Sequence, residues 1–223
     1  MVLVGASLAV DLSTHNLAHD RAEGLRRLIN VDTEGNVPTL FASGLLLSSA
    51  GLLVAIGRLS RDAGGSAVPW RLLALMFLGI GIDESSMLHE ALSAPVRRYL
   101  GDLGPAFHYA WVIPGIVATV AVGAAFLPFL LRLPSATRNR FILAAAIFVG
   151  GAIGMELAGG LAAGHYTLEV VLYTIEEGLE MTGIIIFLNA LLAHIETYYP
   201  ESVWRVAERP TAPSALSRPE PLA

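Results

Sequence analysis

Seven carboxylates sit inside apolar stretches of this chain: Asp83, Glu84, Glu90, Glu156, Glu176, Glu177 and Glu180. His89 lies beside the first three, and His108 opens another apolar stretch. Carboxylate with imidazole is the donor set that suits iron, manganese or zinc. The same groups carry protons along membrane pathways. Placing one Asp at the centre of a membrane helix costs roughly 2.5 to 3.5 kcal/mol. No Arg lies among the seven; the nearest, Arg71, Arg97 and Arg98, fall at the ends of the stretches, and there is no Lys. Protons, metal ions or a water-filled cavity must therefore neutralise them. Cys is absent, which excludes thiolate metal sites, disulfides and Cys nucleophiles.

The elements that must position these groups are long and apolar. Of 223 residues, 54% are hydrophobic and 15% are charged, and the mean hydropathy is +0.62. An ordinary soluble domain carries about 25% charged residues. The net charge of -5 and the lack of a basic run exclude nucleic acid as a partner. Five apolar stretches follow one another: Val37–Gly57, Pro69 to about Ala94, Pro105–Leu131, Phe141–Ala163 and about Leu168–Tyr198. Crossing ~30 Å of hydrocarbon takes about 20 helical residues. Lipid leaves no water for unpaired backbone groups, and the lack of period-2 alternation selects helices over barrel strands. The expected fold is all-α, a polytopic transmembrane helix bundle with five core spans and an N-terminal interfacial or partial helix. Residues 1–36 read as a leader, 37–199 as the bundle and 200–223 as a Pro-rich tail. Within the leader, Val2–Val10 is apolar but too short to span, and Leu17–Ile29 reads as an interfacial helix.

Arg distribution sets the orientation. Arg21, Arg26, Arg27, Arg97 and Arg98 fall on one side; the other nine of the fourteen fall on the opposite side, which is expected to be cytoplasmic. The C-terminus is then cytoplasmic, and all seven acids share the outer half of the bilayer. Acids scattered at random over three helices would not share a depth.

Helical phase sorts them further. At about 100° per residue, Asp83 and Glu90 point the same way, with Glu84 and His89 flanking them. Glu176 and Glu180 share a face that Glu169 and Tyr173 join, with Glu177 on its shoulder. The fourth stretch carries Gly150, Gly151, Gly154, Ala158, Gly159 and Gly160. Small residues four apart let helices approach closely, which would bring Glu156 to the other two helices. Carboxylate-bridged dimetal sites in bundles use Glu-x-x-His pairs; here Glu84 and His89 are five apart, so the match is looser. Protonated glutamates around a wet vestibule, and a proton or cation path, are the competing readings.

Other signals are weaker. Asp32 and Glu34 precede the first span, where Asn36 or Thr39 would cap its helix. His165 reads as solvated and His194 as interfacial. Trp70, Trp111 and Trp204 fall near span ends, as an aromatic belt would place them. Ser85 and Ser86 sit in no nucleophile elbow.

The strings DTEGNVPTLF at 32–41, GIDESSMLHEAL at 81–92, GGAIGMELAGG at 150–160 and YTIEEGLEMTGIIIF at 173–187 carry a resemblance. Over roughly residues 30–195 the chain resembles an uncharacterised family of bacterial multi-pass membrane proteins with E-x-N-x-P-T, D-E-x(5)-H-E-like and E-E-x-x-E-M motifs. The resemblance implies that Glu34, Asp83, Glu84, His89, Glu90, Glu156, Glu176, Glu177 and Glu180 are the motif positions, in a bacterial inner membrane. It brings no reaction with it. Intramembrane prenyl-protein proteases carry E-E-x-x-x-R, but Met181 stands where that Arg would be. Membrane zinc hydrolases need H-x-x-x-H, which is missing.

The leading expectation is a metal site for iron, zinc or manganese held by Glu84, His89, Glu90, Glu156, Glu177 and Glu180. Asp83 and Glu176 would support it, with His108 and Glu34 as secondary candidates. No catalysed reaction follows from the sequence. Two alternatives remain: a proton or cation transporter, and an accessory subunit of a larger membrane complex. The expected partners are the lipid bilayer and either a membrane complex or a second copy of the chain.

Overall fold

A computed structural model of the chain describes residues 2–14, 24, 27–31, 33 and 35–201. Glu34, Asp32, Trp204, most of the expected Leu17–Ile29 helix and the tail beyond 201 lie outside the described residues. Among those described there is no β-strand, and the chain forms an all-α bundle. Its helices are α1 (Val2–Thr14), α2 (Val37–Asp62), α3 (Val68–Ser86), α4 (Ser93–Leu100), α5 (Val112–Arg132), α6 (Ser135–Val149), α7 (Glu156–Ala162) and α8 (Tyr166–Tyr198). A π-helical segment, Gly150–Met155, joins α6 to α7, and the three cross as one piece. Four helices are long and apolar enough to cross a membrane, and a fifth forms if α3 and the bent piece after it count together.

The start of α2 is fixed by its sequence. Asn36 is the N-cap; its Oδ1 accepts the Thr39 backbone N–H at 3.1 Å, and Pro38 occupies the first turn. Proline is tolerated there because that N–H has no intrahelical partner. The N-x-P-T string is thus a helix-start device.

The second expected span is not continuous. It breaks after Ser86, and the segment Glu90–Leu100 leaves at 78°. Met87 adopts the left-handed conformation at φ 51°. Ser85 and Ser86 turn their hydroxyls back to the Gly81 and Ile82 carbonyls, and Asp83 captures the His89 N–H. Polar side chains that offer the backbone alternative bonds end helices. The third span also starts later than its apolar run. Gly104 has φ 82°, a 3-10 turn covers Pro105–Phe107, and α5 begins only at Val112.

Glycines set the closest approaches. A Cβ on Gly183 of α8 would lie 2.8 Å from both the Phe148 Cβ and backbone N of α6. One on Gly151 would lie 2.9 Å from the Glu176 carbonyl oxygen. Both crossings therefore require a bare backbone. The end away from the acids is a dry core of Leu53, Ile56, Phe141, Phe187 and Leu191 around Trp70. Trp70 is 4% exposed and packs edge-on to Phe129 and Phe141. The aromatic-belt expectation for Trp70 is therefore overturned: its ring is a core element. His194 joins this core, its Nδ1 3.0 Å from the Thr137 hydroxyl.

The N-terminal helix is apolar and shorter than a membrane span. Its 13 residues reach about 20 Å. Val4 faces Gly178, and Asp11 accepts the Tyr173 hydroxyl at 2.9 Å, so α1 lies antiparallel along α8.

A candidate cation-binding cavity

A cavity of about 420 Å³ lies between α3, the bend after it, the start of α5, the α6–α7 piece and α8. Asp83, Glu84, His89, Glu90, Glu156, Glu176, Glu177 and Glu180 all line it. Glu169 does so as well, and its carboxylate accepts the Gly164 backbone N–H at 2.7 Å. The cavity therefore belongs to the Gly164 end of α8. No Arg is among its lining residues.

The side chains are held from element to element. Asp83 Oδ1 accepts the His89 backbone N–H at 2.8 Å, and Asp83 Oδ2 lies 2.8 Å from His89 Nδ1. The helix-phase reading of Asp83 with Glu90 fails because the helix ends between them. The carboxylate instead orients the imidazole across the bend. His89 Nε2 has no hydrogen-bond partner among the described residues. Its ring packs on Trp111, with centroids 4.5 Å apart. The Trp111 indole N–H then donates to Glu156 Oε1 at 3.1 Å, and its backbone N–H donates to Ser93 Oγ. Trp111 thus ties the bend after α3 to α4 and α7, a role that the belt reading of a Trp at a span end missed.

The π segment helps place Glu156. Six residues wound with i→i+5 bonds shift the phase of everything beyond them, and such bulges occur often at functional sites. Glu180 stands apart from the others. It is half-buried and lines the cavity. It has no hydrogen-bond donor among the described residues, and its charged neighbours are Glu177, Glu84, Glu176 and Glu156.

His108 is not brought to the cavity. It lines a separate hollow with Arg97 and Asp102. The reason is local: α5 has not yet begun, and Gly160 lets the Pro105–His108 turn press against α7. Arg97 holds that turn by donating to the His108 carbonyl. Tyr109, Trp111 and Tyr166 line the acidic cavity without having been singled out as site residues. Asp11 was also missed. It is fully buried and accepts from Ser7 Oγ, Asn30 Nδ2 and Tyr173. Ser7 and Asp11, one turn apart on an apolar helix, were the available signal.

No group of three His, Asp or Glu side chains among the described residues is gathered as a metal ion would require. The acids line one space but stand along its walls.

Fold and cavity define a class: a helical bundle with membrane-spanning helices and a polar chamber between them. The chain belongs to the family described as Domain of unknown function (DUF8692), whose model matches residues 1–195. No curated protein and no solved structure matches it.

Proposed function

We propose that the chain is an integral membrane protein whose acidic cavity binds a cation. The observation that carries this is Glu180, set against four other carboxylates with no Arg in the lining and His89 as its sole imidazole. Charge of one sign in a low-dielectric enclosure demands a counter-charge. A divalent iron, zinc or manganese ion is the simplest candidate. His89 with Asp83 behind it has the pattern of an imidazole ligand oriented by a carboxylate. Glu84, Glu90, Glu156, Glu177 and Glu180 would supply oxygen ligands, with Asp83 and Glu176 as supports. Because these groups stand apart, a metal would have to draw ligands from facing walls.

Elemental analysis and calorimetric titration with Mn2+ test this reading on purified protein in a non-ionic detergent. Stoichiometric metal, or saturable Mn2+ binding weakened at least tenfold in Glu180→Gln, is expected. If no cation of any kind binds, the carboxylates are protonated around a wet vestibule and the proposal fails.

Transport across the membrane has less support. Beyond Glu180 the path meets Phe77 stacked on Phe187 at 4.4 Å, with Phe141 against Phe187 at 4.5 Å. A subunit role has one observation in its favour: only Val112 of α5 is buried, so that helix offers its sides to lipid, a partner protein or a second copy. Co-purification in mild detergent tests it. The proposed location is a bacterial cytoplasmic membrane with the C-terminus inside.

A further inference from the structure

Resting on the cation-binding reading, we infer that the cavity takes an extended organic polycation, a linear aliphatic polyamine, rather than a single metal ion. The first reason is how the charge is spread. A point charge gathers its ligands, yet no three acidic or imidazole groups among the described residues are gathered. Glu169, Glu176 and Glu180 share one face of α8 at intervals of seven and four residues, about 10 and 6 Å along the axis. Glu84 and Glu156 line the same cavity from two other helices. Charges strung out in this way match amino groups strung along a methylene chain.

The second reason is the size and the wall. At about 420 Å³ the cavity falls in the range of small-molecule sites, roughly 300 to 1,000 Å³, and far exceeds what one ion fills. Tyr109, Trp111, Tyr166 and Tyr173 line it among the carboxylates. Aromatic faces bind methylene groups by burial and ammonium groups through the ring quadrupole. Trp111 is held by its bond to Glu156 and by the His89 ring, so its indole is fixed before any ligand arrives. Glu180 is the third reason. It is a half-buried carboxylate with no hydrogen-bond donor among the described residues, and it would receive one ammonium end. A primary ammonium supplies three N–H donors, which a bare metal ion does not.

The test is calorimetric titration of the full chain in dodecyl maltoside, a detergent without amine or charge, with spermidine, ethanolamine and Mn2+ in separate runs. Spermidine is expected to bind with one-to-one stoichiometry and at least tenfold more tightly than either other probe. Trp111→Leu is expected to weaken spermidine about tenfold, within the range of a desolvated cation–π contact, and to weaken Mn2+ less, through the loosened Glu156 and His89 alone. Glu177→Gln, close in shape to the native residue, serves as a second variant should Trp111→Leu fail to fold; it too is expected to weaken spermidine. Mn2+ binding more tightly than spermidine, or ethanolamine matching spermidine, overturns this inference and leaves the cation-binding reading standing. Binding of none of the three overturns both.

Discussion

Asp11 has no exposed surface and collects donors from Ser7, Asn30 and Tyr173. Hydrogen bonds to a charged group contribute about 1.5 to 3 kcal/mol, and removing the acceptor also strands buried donors. Asp11→Ala is therefore expected to lower unfolding free energy by about 2 to 4 kcal/mol, and Asp11→Asn by less, read from chemical unfolding in mixed micelles. Glu180 is expected to behave in the opposite sense. Its charged neighbours are carboxylates, so Glu180→Gln removes repulsion and leaves the ligand-free melting temperature unchanged or higher. The stabilisation added by a bound cation should shrink in the same variant, because binding to the folded state alone is what raises its stability. A variant that melts lower with and without cation would show that Glu180 is a structural group. At this scale the acids were legible in the sequence, since a carboxylate in an apolar run is conspicuous. All seven inside the expected spans line one cavity. The aromatic groups between them were not legible, because Trp and Tyr at span ends are ordinary in any membrane protein. Their direction depends on where the helix starts, and the start of α5 at Val112 rather than Pro105 comes from a turn that hydropathy does not register.

Among the elements, the bend at Met87 and the crossing at Gly183 matter most for the cavity. Met87 holds φ 51°, a conformation that costs a residue with a Cβ roughly 1 to 2 kcal/mol. Met87→Gly is expected to raise stability by about 0.5 to 1 kcal/mol, the remainder being lost to greater freedom of the unfolded chain. Unchanged or lower stability would mean that the Met side chain packing outweighs its backbone strain. At Gly183 the sign reverses. A methyl group there meets backbone of α6 at 2.8 Å, and neither helix axis can yield locally. Gly183→Ala is expected to cost about 1 to 3 kcal/mol, and to loosen Mn2+ or spermidine binding through the shifted α6–α7 wall. The stretches themselves were readable from hydropathy and length, and the structure keeps four of them as helices long and apolar enough to cross a membrane. The break in the second was not, because it depends on Asp83, Ser85 and Ser86 competing for backbone groups four to six residues away. Hydropathy counts those residues only as polar.

For the molecule as a whole, the open question with a sharp answer is which compartment the cavity faces. The cavity lies at the Gly164 end of α8, because Glu169 both lines it and caps that turn. Nine of fourteen Arg are assigned by the order of the spans to the opposite side, and basic residues are retained on the cytoplasmic side of a membrane. The cavity is therefore expected to face outward, which would supply it from outside the cell. The chain has no Cys, so a single introduced thiol reports without background. His165 is exposed and needs no positive φ, unlike Gly164 at φ 93°. His165→Cys is expected to react with a membrane-impermeant maleimide in intact cells, while a reporter fused after Ala223 is active only in the cytoplasm. Labelling that requires permeabilised cells, together with a reporter active outside, would invert the bundle. The cation would then come from the cytoplasm, and a linear polyamine drawn from that pool would meet the same carboxylates from the other side. Labelling in both conditions at half yield would point to dual insertion, which a bias of nine to five should prevent.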